Sequence, residues 1–131
     1  MASAQAVLVF EIEKPIPFTV ADSAAIEKGD FLKLSDPATV ALTSADNDLF
    51  GGIAAEEKIA NDGKTKIPVY RKGFFRVESN GTTTVGLHQV IKAKNELADM
   101  TTLDDENGKV FGTSLETATD GEFFLFDLGA R

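Results

Sequence analysis

The sequence predicts an all-β fold, a compact β-barrel or sandwich with one or two short helical turns. Turn signals such as Gly51-Gly52, Asn80-Gly81 and Asp120-Gly121 recur at short intervals along the chain. Between them, apolar and polar residues alternate at the period of a β-strand. Three short blocks also recur in the same order about sixty residues apart, which indicates an internal duplication.

The first predicted strand precedes the duplication. Val7–Ile12 is a mostly apolar run, and Pro15 to Phe18 follows it as a stiff, extended segment. Such a strand either completes the sheet of its own subunit, which we favour, or adds to the edge of a neighbour. Residues 1–20 are therefore interpreted as an N-terminal arm with the first strand, and residues 21–131 as a β-barrel-like domain.

A short helical segment is predicted between Asp22 and Gly29. Asp22 is a favourable N-cap residue, helix-forming residues follow it, and Gly29 is a common helix terminator. Further along, Val85 to Leu97 could form a helix, but its place in the duplication favours a short strand at Gln89 to Ala93.

The later strands are predicted from their alternation. In the segment 66–71, Ile67 and Val69 share a face, and Pro68 indicates an edge strand. Two further strands have the following residues on the face predicted to be buried: Phe75, Val77, Phe124, Phe126 and Leu128.

The duplication aligns three blocks of the first half with three of the second. The aligned blocks are Ile26–Leu34 with Val85–Ala93, Leu49–Ala54 with Val110–Leu115, and Asn61–Gly63 and its strand with Thr119–Gly121 and Phe123–Leu128. This alignment puts His88 in the place of Gly29, at a turn. Neither half can bury both faces of its strands alone, so we expect the pseudo-repeats, 21–79 and 80–131, to pack together.

Composition argues against several classes of partner. The formal net charge is −8, with 21 acidic and 13 basic residues, which disfavours nucleic-acid binding. The chain has no Cys, hence no thiol nucleophile or thiolate metal site. No apolar run approaches the roughly 18 residues that span a bilayer, and no signal peptide is recognised. We expect neither a nucleic-acid nor a membrane partner. The local cluster of basic residues is interpreted as solvent-facing strand positions: Lys64, Lys66, Arg71, Lys72 and Arg76.

No catalytic or cofactor motif is found in the sequence. His88 is the one histidine, and no serine has the context of a nucleophile elbow. Asp46, Asp48 and Glu57 match positions of an EF-hand calcium loop, but Phe50 replaces an oxygen ligand, so a solvated acidic loop is favoured. We therefore expect no enzymatic activity, no cofactor and no metal.

Several small-residue turns and apolar positions resemble a family of phage proteins associated with capsid cement or decoration function. The matching residues are Ile26, Gly29, Asp30, Phe31, Leu34, Gly51–Ala54, Asp62, Gly63, Ile67, Val69, Gly73 and Phe75. The resemblance covers residues 15–128. It implies a β-barrel-like subunit, trimers at threefold or quasi-threefold positions, and binding to the assembled major capsid protein on the outer surface of the virion.

The resulting expectation is a structural capsid decoration protein. The residues expected to contact the capsid are Val7, Leu8, Val9, Phe10, Ile12, Pro15, Pro17 and Phe18. Phe74 and Phe123 are expected at the seam of a homotrimer. Two alternatives stay open: a head-fibre base or glycan-binding adhesin module, and a small enzyme such as a nucleotide hydrolase. The absence of Trp and the presence of one Tyr, Tyr70, disfavour a glycan site.

Overall fold

β-Strands are the main secondary structure in a computed structural model, which describes residues 5–45, 48–93, 95–100 and 109–129. The strands are β1 (Val7–Glu11), β2 (Ile16–Val20), β3 (Phe31–Ser35), β4 (Thr39–Leu42), β5 (Phe50–Ala54), β6 (Lys66–Tyr70), β7 (Gly73–Ser79), β8 (His88–Ala93), β9 (Glu96–Asp99), β10 (Val110–Ser114) and β11 (Phe123–Leu128). The all-β fold class is confirmed, as is the strand predicted at Gln89 to Ala93.

The strands form two barrels of the same topology. In barrel 1, β2, β4, β3, β5 and β6 close in that order. In barrel 2, β7, β9, β8, β10 and β11 close in the same order, and β1 pairs with β7 from outside. Each barrel is closed through one parallel pair, β2–β4 or β7–β9. Closure pairs the strands that would otherwise be sheet edges.

The strand registers repeat as well as the topology. In barrel 1, Leu32 pairs with Gly52 beside a bulge, and in barrel 2, Gln89 pairs with Gly112 beside the corresponding bulge. The match supports the predicted duplication but shifts its alignment by one residue here, because the sequence blocks matched Gly51 with Gly112.

The first aligned block is shifted by two residues. The N–H of Gly29 donates to the last carbonyl of β5, and the N–H of Gly86 donates to the last carbonyl of β10. Gly86 is therefore the counterpart of Gly29. His88 is the first residue of β8, where it corresponds to Phe31. The prediction that His88 lies at a turn was wrong, because a match of residue types does not show how many residues each loop contains.

The two barrels divide the chain differently from the expected pseudo-repeats. β2 lies within the expected arm 1–20 but belongs to barrel 1, and β7 lies within the expected first repeat 21–79 but belongs to barrel 2. The strands thus place the boundary between the repeats at the short link between β6 and β7. The sequence blocks missed this because the two strands, IPFTV in β2 and GFFRVES in β7, have only Phe and Val in common.

The helical turn predicted from Asp22 to Gly29 is wrong. Asp22 and Ser23 form a turn, and Ile26 makes an antiparallel bridge to Lys58. The main-chain N–H and C=O groups of Ile26 both bond to Lys58, so they cannot take part in a helix. A tertiary contact therefore overrides the local helix signals.

The alternation predicted for the later strands is confirmed, but the edge strand is not. Phe75 and Val77 of β7 are buried, as are the corresponding residues of β11, Phe124, Phe126 and Leu128. Pro68 lies in β6, which pairs with β2 on one side and β5 on the other. The proline is tolerated inside a barrel because it faces Pro17, so neither residue of the pair requires an N–H donor from the other.

The barrels share one hydrophobic core where they meet. Phe31 and Phe50 of barrel 1 lie against Phe111 of barrel 2, with ring centroids 5.6 and 5.0 Å from that of Phe111. All three side chains are buried. Arg71, in the link between the barrels, places its guanidinium 4.5 Å from the centroid of Phe50. Because this aromatic core draws on both barrels, we expect them to unfold together.

Gly112 is required where β10 approaches β11. A Cβ atom there would overlap the main-chain oxygen of Asp127 and lie 2.8 Å from the Phe126 ring. Gly52, the counterpart in barrel 1, is crowded in the same way by Tyr70. We expect Gly112→Ala to lower the free energy of unfolding by about 3 kcal/mol, because main-chain atoms cannot move aside without disturbing the β10–β11 pairing.

Urea unfolding of the variant would measure this loss. Gly81→Ala is the matched control, because a Cβ atom at Gly81 would meet no atom within 4 Å. Its positive φ still makes alanine unfavourable, at a cost of about 1 kcal/mol. Equal losses in the two variants would contradict the steric explanation for Gly112.

Lys58 is a buried cation at one end of barrel 1, with 1% of its side chain exposed. Its Nζ donates to Asp62 Oδ1 at 2.8 Å, to the Asp22 carbonyl at 2.8 Å and to the Ile59 carbonyl at 3.1 Å. The hydrogen bond from Lys58, followed by one from the Lys64 N–H, holds the pKa of Asp62 below its ordinary value of 3.8.

The lowered pKa of Asp62 predicts a contribution to acid sensitivity. An aspartate with a lowered folded-state pKa stabilises the fold above its ordinary pKa, and this stabilisation is lost as the pH falls. Below about pH 4, the melting temperature of the wild type should therefore fall more steeply with pH than that of Asp62→Asn. Glu56→Gln, at an exposed carboxylate, is the control and should follow the wild type. Parallel curves for wild type and Asp62→Asn would contradict the assignment.

Candidate functional site

β1 is an apolar strand that lies largely exposed on the protein surface. Val7, Val9, Phe10 and Ile12 are each more than half exposed, and Leu8 is 38% exposed. Isolated apolar side chains are common on protein surfaces, but a contiguous group of five is typical of a contact surface. The sequence predicted these residues as the capsid contact, and the structure shows that they are accessible.

The chain holds β1 on its own barrel 2. Ala6, just before the strand, is buried, and its N–H donates to the carbonyl of Gly29 at 2.9 Å. β1 then runs antiparallel to β7, with an irregularity in register at Val9. Near the end of the strand, the Phe10 ring lies 6.3 Å from that of Phe74. The strand therefore pairs within its own subunit, which is the alternative that the sequence analysis favoured.

An open groove of about 600 Å³ lies beside the start of β1. The residues that line it are Gln5, Ala6, Val7, Leu8, Lys28 and Phe123. Phe123 is 40% exposed, whereas Phe74 is half-buried beside Phe10. The sequence analysis assigned β1 to the capsid contact and the two phenylalanines to a trimer seam. The structure places both phenylalanines beside the arm: Phe123 lines the groove with Val7 and Leu8, and Phe74 lies against Phe10.

The remaining predicted contact residues lie outside β1. Pro17 and Phe18 belong to β2 of barrel 1, and Pro15 precedes it. Phe18 is half-buried against the core of barrel 1, and its ring lies 5.6 Å from the guanidinium of Arg71. Of these three residues, Pro17 is exposed. The structure therefore assigns Phe18 mainly to packing and leaves Pro17 accessible.

A second pocket at the other end of β1 was missed by the sequence analysis. It has a volume of about 220 Å³ and is lined by Ile12, Lys72, Gly73, Asp127, Leu128 and Gly129. Burial raises the pKa of Asp127 above its ordinary value. In the sequence, Asp127 is one more polar residue in an alternating strand, so no local signal distinguishes it. A positively charged group placed in this pocket would stabilise its carboxylate.

The predicted basic cluster is divided by the fold. Arg71 lies against Phe18 and Phe50, between the barrels. Arg76 forms an ion pair with Glu116 on barrel 2, with 3.2 Å between Nη1 and Oε1. These two arginines are thus engaged within the chain. Lys66 and Arg76 lie in strands as expected, but Lys64 precedes β6, and Arg71 and Lys72 form the link between β6 and β7, so the predicted strand positions were wrong for these three residues.

The calcium-loop match lies only partly within the described residues, because Asp46 falls outside them. The carboxylate of Asp48 accepts main-chain hydrogen bonds from Ser44 and Ala45 at 2.7 and 3.0 Å. Across the described ranges, no three His, Asp or Glu side chains converge as metal ligands would. In the described part of the loop, the carboxylate of Asp48 thus caps two main-chain N–H groups.

In the described portion of the chain, no helix has the length and apolar character needed to cross a membrane.

His88 is half-buried at the start of β8. Buried Ser79 and Ser114 donate to main-chain carbonyls of Gly81 and Thr84. These serines therefore help to hold turns of barrel 2.

No protein-family model and no curated protein matches the sequence. Among solved structures, the chain is similar to the N base of the head fibre gp8.5 of bacteriophage phi29, with a TM-score of 0.57 and 16% sequence identity. The alignment covers 86% of this chain and 92% of the phage chain. At this level of identity, the likeness concerns the fold. The similar fold extends over nearly the whole length of both chains.

Proposed function

We propose that the protein is a structural component of a tailed-phage head, and that it binds the outer surface of the assembled capsid as a decoration protein. The observation that carries this proposal is the near full-length likeness to the base of the phi29 head fibre. The resemblance of the turn residues and apolar positions to those of capsid cement proteins supports the proposal independently. The role is structural, with no enzymatic activity, no cofactor, and no nucleic-acid or membrane partner.

The proposed capsid-docking surface consists of β1, Ile12, Phe74 and Phe123. Its support is the contiguous exposure of apolar side chains on a strand whose other edge is fixed by β7. A rigid strand loses little conformational entropy on binding, and burial of its apolar groups supplies the driving force. The pocket at Asp127 lies beside Ile12 at the edge of this surface, and Lys72 of the same chain lines it.

Co-sedimentation of the purified protein with capsids that lack it tests the proposal. The expected result is saturable binding with a copy number that is a multiple of three, as a trimer at threefold positions requires. Two reference samples are sedimented in parallel: undecorated capsids without added protein, and capsids that already carry the protein. An absence of binding to undecorated capsids over the micromolar range would contradict the proposed function.

A head-fibre base is the second candidate, and it is favoured by the name of the similar phage structure. Both functions require docking on the capsid, but a base must also carry a projecting fibre. Electron microscopy of virions would distinguish them, since a fibre leaving each bound copy supports the base. A glycan-binding role is less well supported, because Tyr70 is half-buried and packs edge-on against Phe75.

A further inference from the structure

The two barrels of one chain meet through a turn that inserts against a strand. Asn95, in the turn between β8 and β9, is fully buried. Its Nδ2 donates to Asp30 Oδ1 at 2.9 Å, and its Oδ1 accepts the N–H of Phe31 at 2.7 Å. Asp30 and Phe31 stand at the start of β3 in barrel 1. The β8–β9 turn thus acts as a knob, and the start of β3 acts as its receptor.

Each part of this contact has a counterpart in the other barrel. The first three residue pairs of β3–β4 match those of β8–β9, whose register then shifts by one residue between Ile91 and Ala93 and leaves a shorter turn. Ala38 and Asn95 each directly precede the second strand of the pair, β4 or β9, so Ala38 takes the position of Asn95. Both residues have a positive φ, 44° for Ala38 and 64° for Asn95. Leu87 is the counterpart of Asp30, because each donates its N–H to the residue three positions earlier, after equivalent glycines.

Among the described residues, the side chains at these two counterpart positions form no contact like that of Asn95 with Asp30, although the carbonyls of Ala38 and Leu87 accept main-chain hydrogen bonds from Thr19 and Ser114. Pro37 and Ala38 are exposed at the β3–β4 turn, and Leu87 is 45% exposed. A pocket of about 290 Å³ at this second receptor is lined by Gly86, Leu87, His88 and Met100. A head-to-tail contact between barrels leaves one free knob and one free receptor on every chain.

The chemistry of the free pair has changed on both sides. Within the chain, polar Asn95 meets the carboxylate of Asp30. In the free pair, apolar Pro37 and Ala38 take the place of the polar knob, and Leu87 with Met100 replaces the polar receptor. Apart from Asp36, which is exposed beside Pro37, the free knob therefore matches the free receptor in apolar character.

We propose that a second copy of this chain completes the contact: the turn 36–38 of one copy docks into the pocket at Gly86, Leu87, His88 and Met100 of the next. The contact repeats the packing of barrel 2 on barrel 1, so three copies place six barrels in a ring. This inference rests on the trimer of the proposed function and deepens it. It needs no capsid, so the two can fail separately.

Light scattering of the free protein tests the contact. The variants introduce, at each position, the residue found at the equivalent position of the other barrel. Leu87→Asp installs the residue that Asp30 provides in barrel 1, so the local backbone tolerates it. A carboxylate facing Pro37 and Ala38 lacks a partner, and we expect the association constant to fall at least about hundredfold. Adding Ala38→Asn supplies the partner that Asn95 provides within the chain, and it should restore association.

The wild type should scatter as three times the chain mass of 14.0 kDa. Ile59→Asp is the control, because Ile59 is a 62% exposed apolar residue away from both surfaces. It should leave the mass unchanged. A monomeric wild type, an unaffected Leu87→Asp variant, or a double variant that stays dissociated would each overturn the proposal. Capsid binding measured in parallel shows whether the proposed function stands on its own.

Discussion

Asn95→Ala is expected to lower the free energy of unfolding by about 4 kcal/mol, the largest stability loss among the single changes considered. The substitution leaves Oδ1 of Asp30 and the N–H of Phe31 without a partner in a buried site, while Oδ2 of Asp30 still accepts the N–H of Glu27. Each unsatisfied buried group costs about 1–3 kcal/mol, and more when it is charged. Alanine is also unfavourable at the positive φ of this residue.

Asn61→Ala separates the two causes. Asn61 has a similar φ of 61° but is exposed, so its replacement removes little beyond the backbone preference, about 1 kcal/mol. Urea unfolding of both variants gives the comparison. If Asn95→Ala lost no more stability than Asn61→Ala, the buried hydrogen bonds would not join the barrels as described. Single unfolding transitions are expected in both, since the hydrophobic cluster that contains Phe31, Phe50 and Phe111 joins the two barrels, beside the cluster that barrel 1 has of its own.

The combined change Val7→Asp and Val9→Asp is expected to weaken capsid binding at least about hundredfold. Both side chains are more than half exposed in the free protein, so the fold should tolerate carboxylates there. On binding, however, the two charges would be removed from water against an apolar contact, which is strongly unfavourable. Co-sedimentation across a range of protein concentrations measures the change in affinity.

Ile59→Asp is the matched control for this surface. It places the same charge on an exposed apolar residue of barrel 1, and it should bind capsids like the wild type. Circular dichroism and light scattering confirm that the β1 variant keeps its fold and oligomeric state. Wild-type affinity in that folded variant would show that β1 lies outside the capsid contact.

The strands were predictable because their signal is local. Alternation along β7 and β11 identified the buried faces correctly, since each inward side chain is two residues from the next. The helix predicted after Asp22 failed for the opposite reason. Its local signals are ordinary, but Ile26 is bonded to Lys58, and no pattern in either segment announces that partner.

The duplication was recognisable, but its alignment and boundaries were not. Loops of different length shift the matching blocks, so Gly86 rather than His88 is the counterpart of Gly29. The contact between barrels was also beyond sequence reasoning, because Asn95 and Phe31 are 64 positions apart. A single Asn in a turn gives no sign that its side chain is buried.

The apolar arm was found from the sequence, but its surroundings were not. A run such as Val7 to Phe10 fits a buried strand or a contact surface equally well, and its exposure decides between them. The groove beside Phe123 and the pocket at Asp127 depend on β1 pairing with β7, which pairs with β11 at its other edge. These features arise from tertiary structure, which no short pattern encodes.

Electron cryo-microscopy of capsids incubated with the wild-type protein tests the central claim most directly. The predicted result is density on the outer surface at threefold or quasi-threefold positions, into which the two barrels fit with β1 and Phe123 facing the shell. Density with β1 facing away from the shell would contradict the docking surface. Capsids that carry no additional density at saturating protein would contradict the decoration function itself.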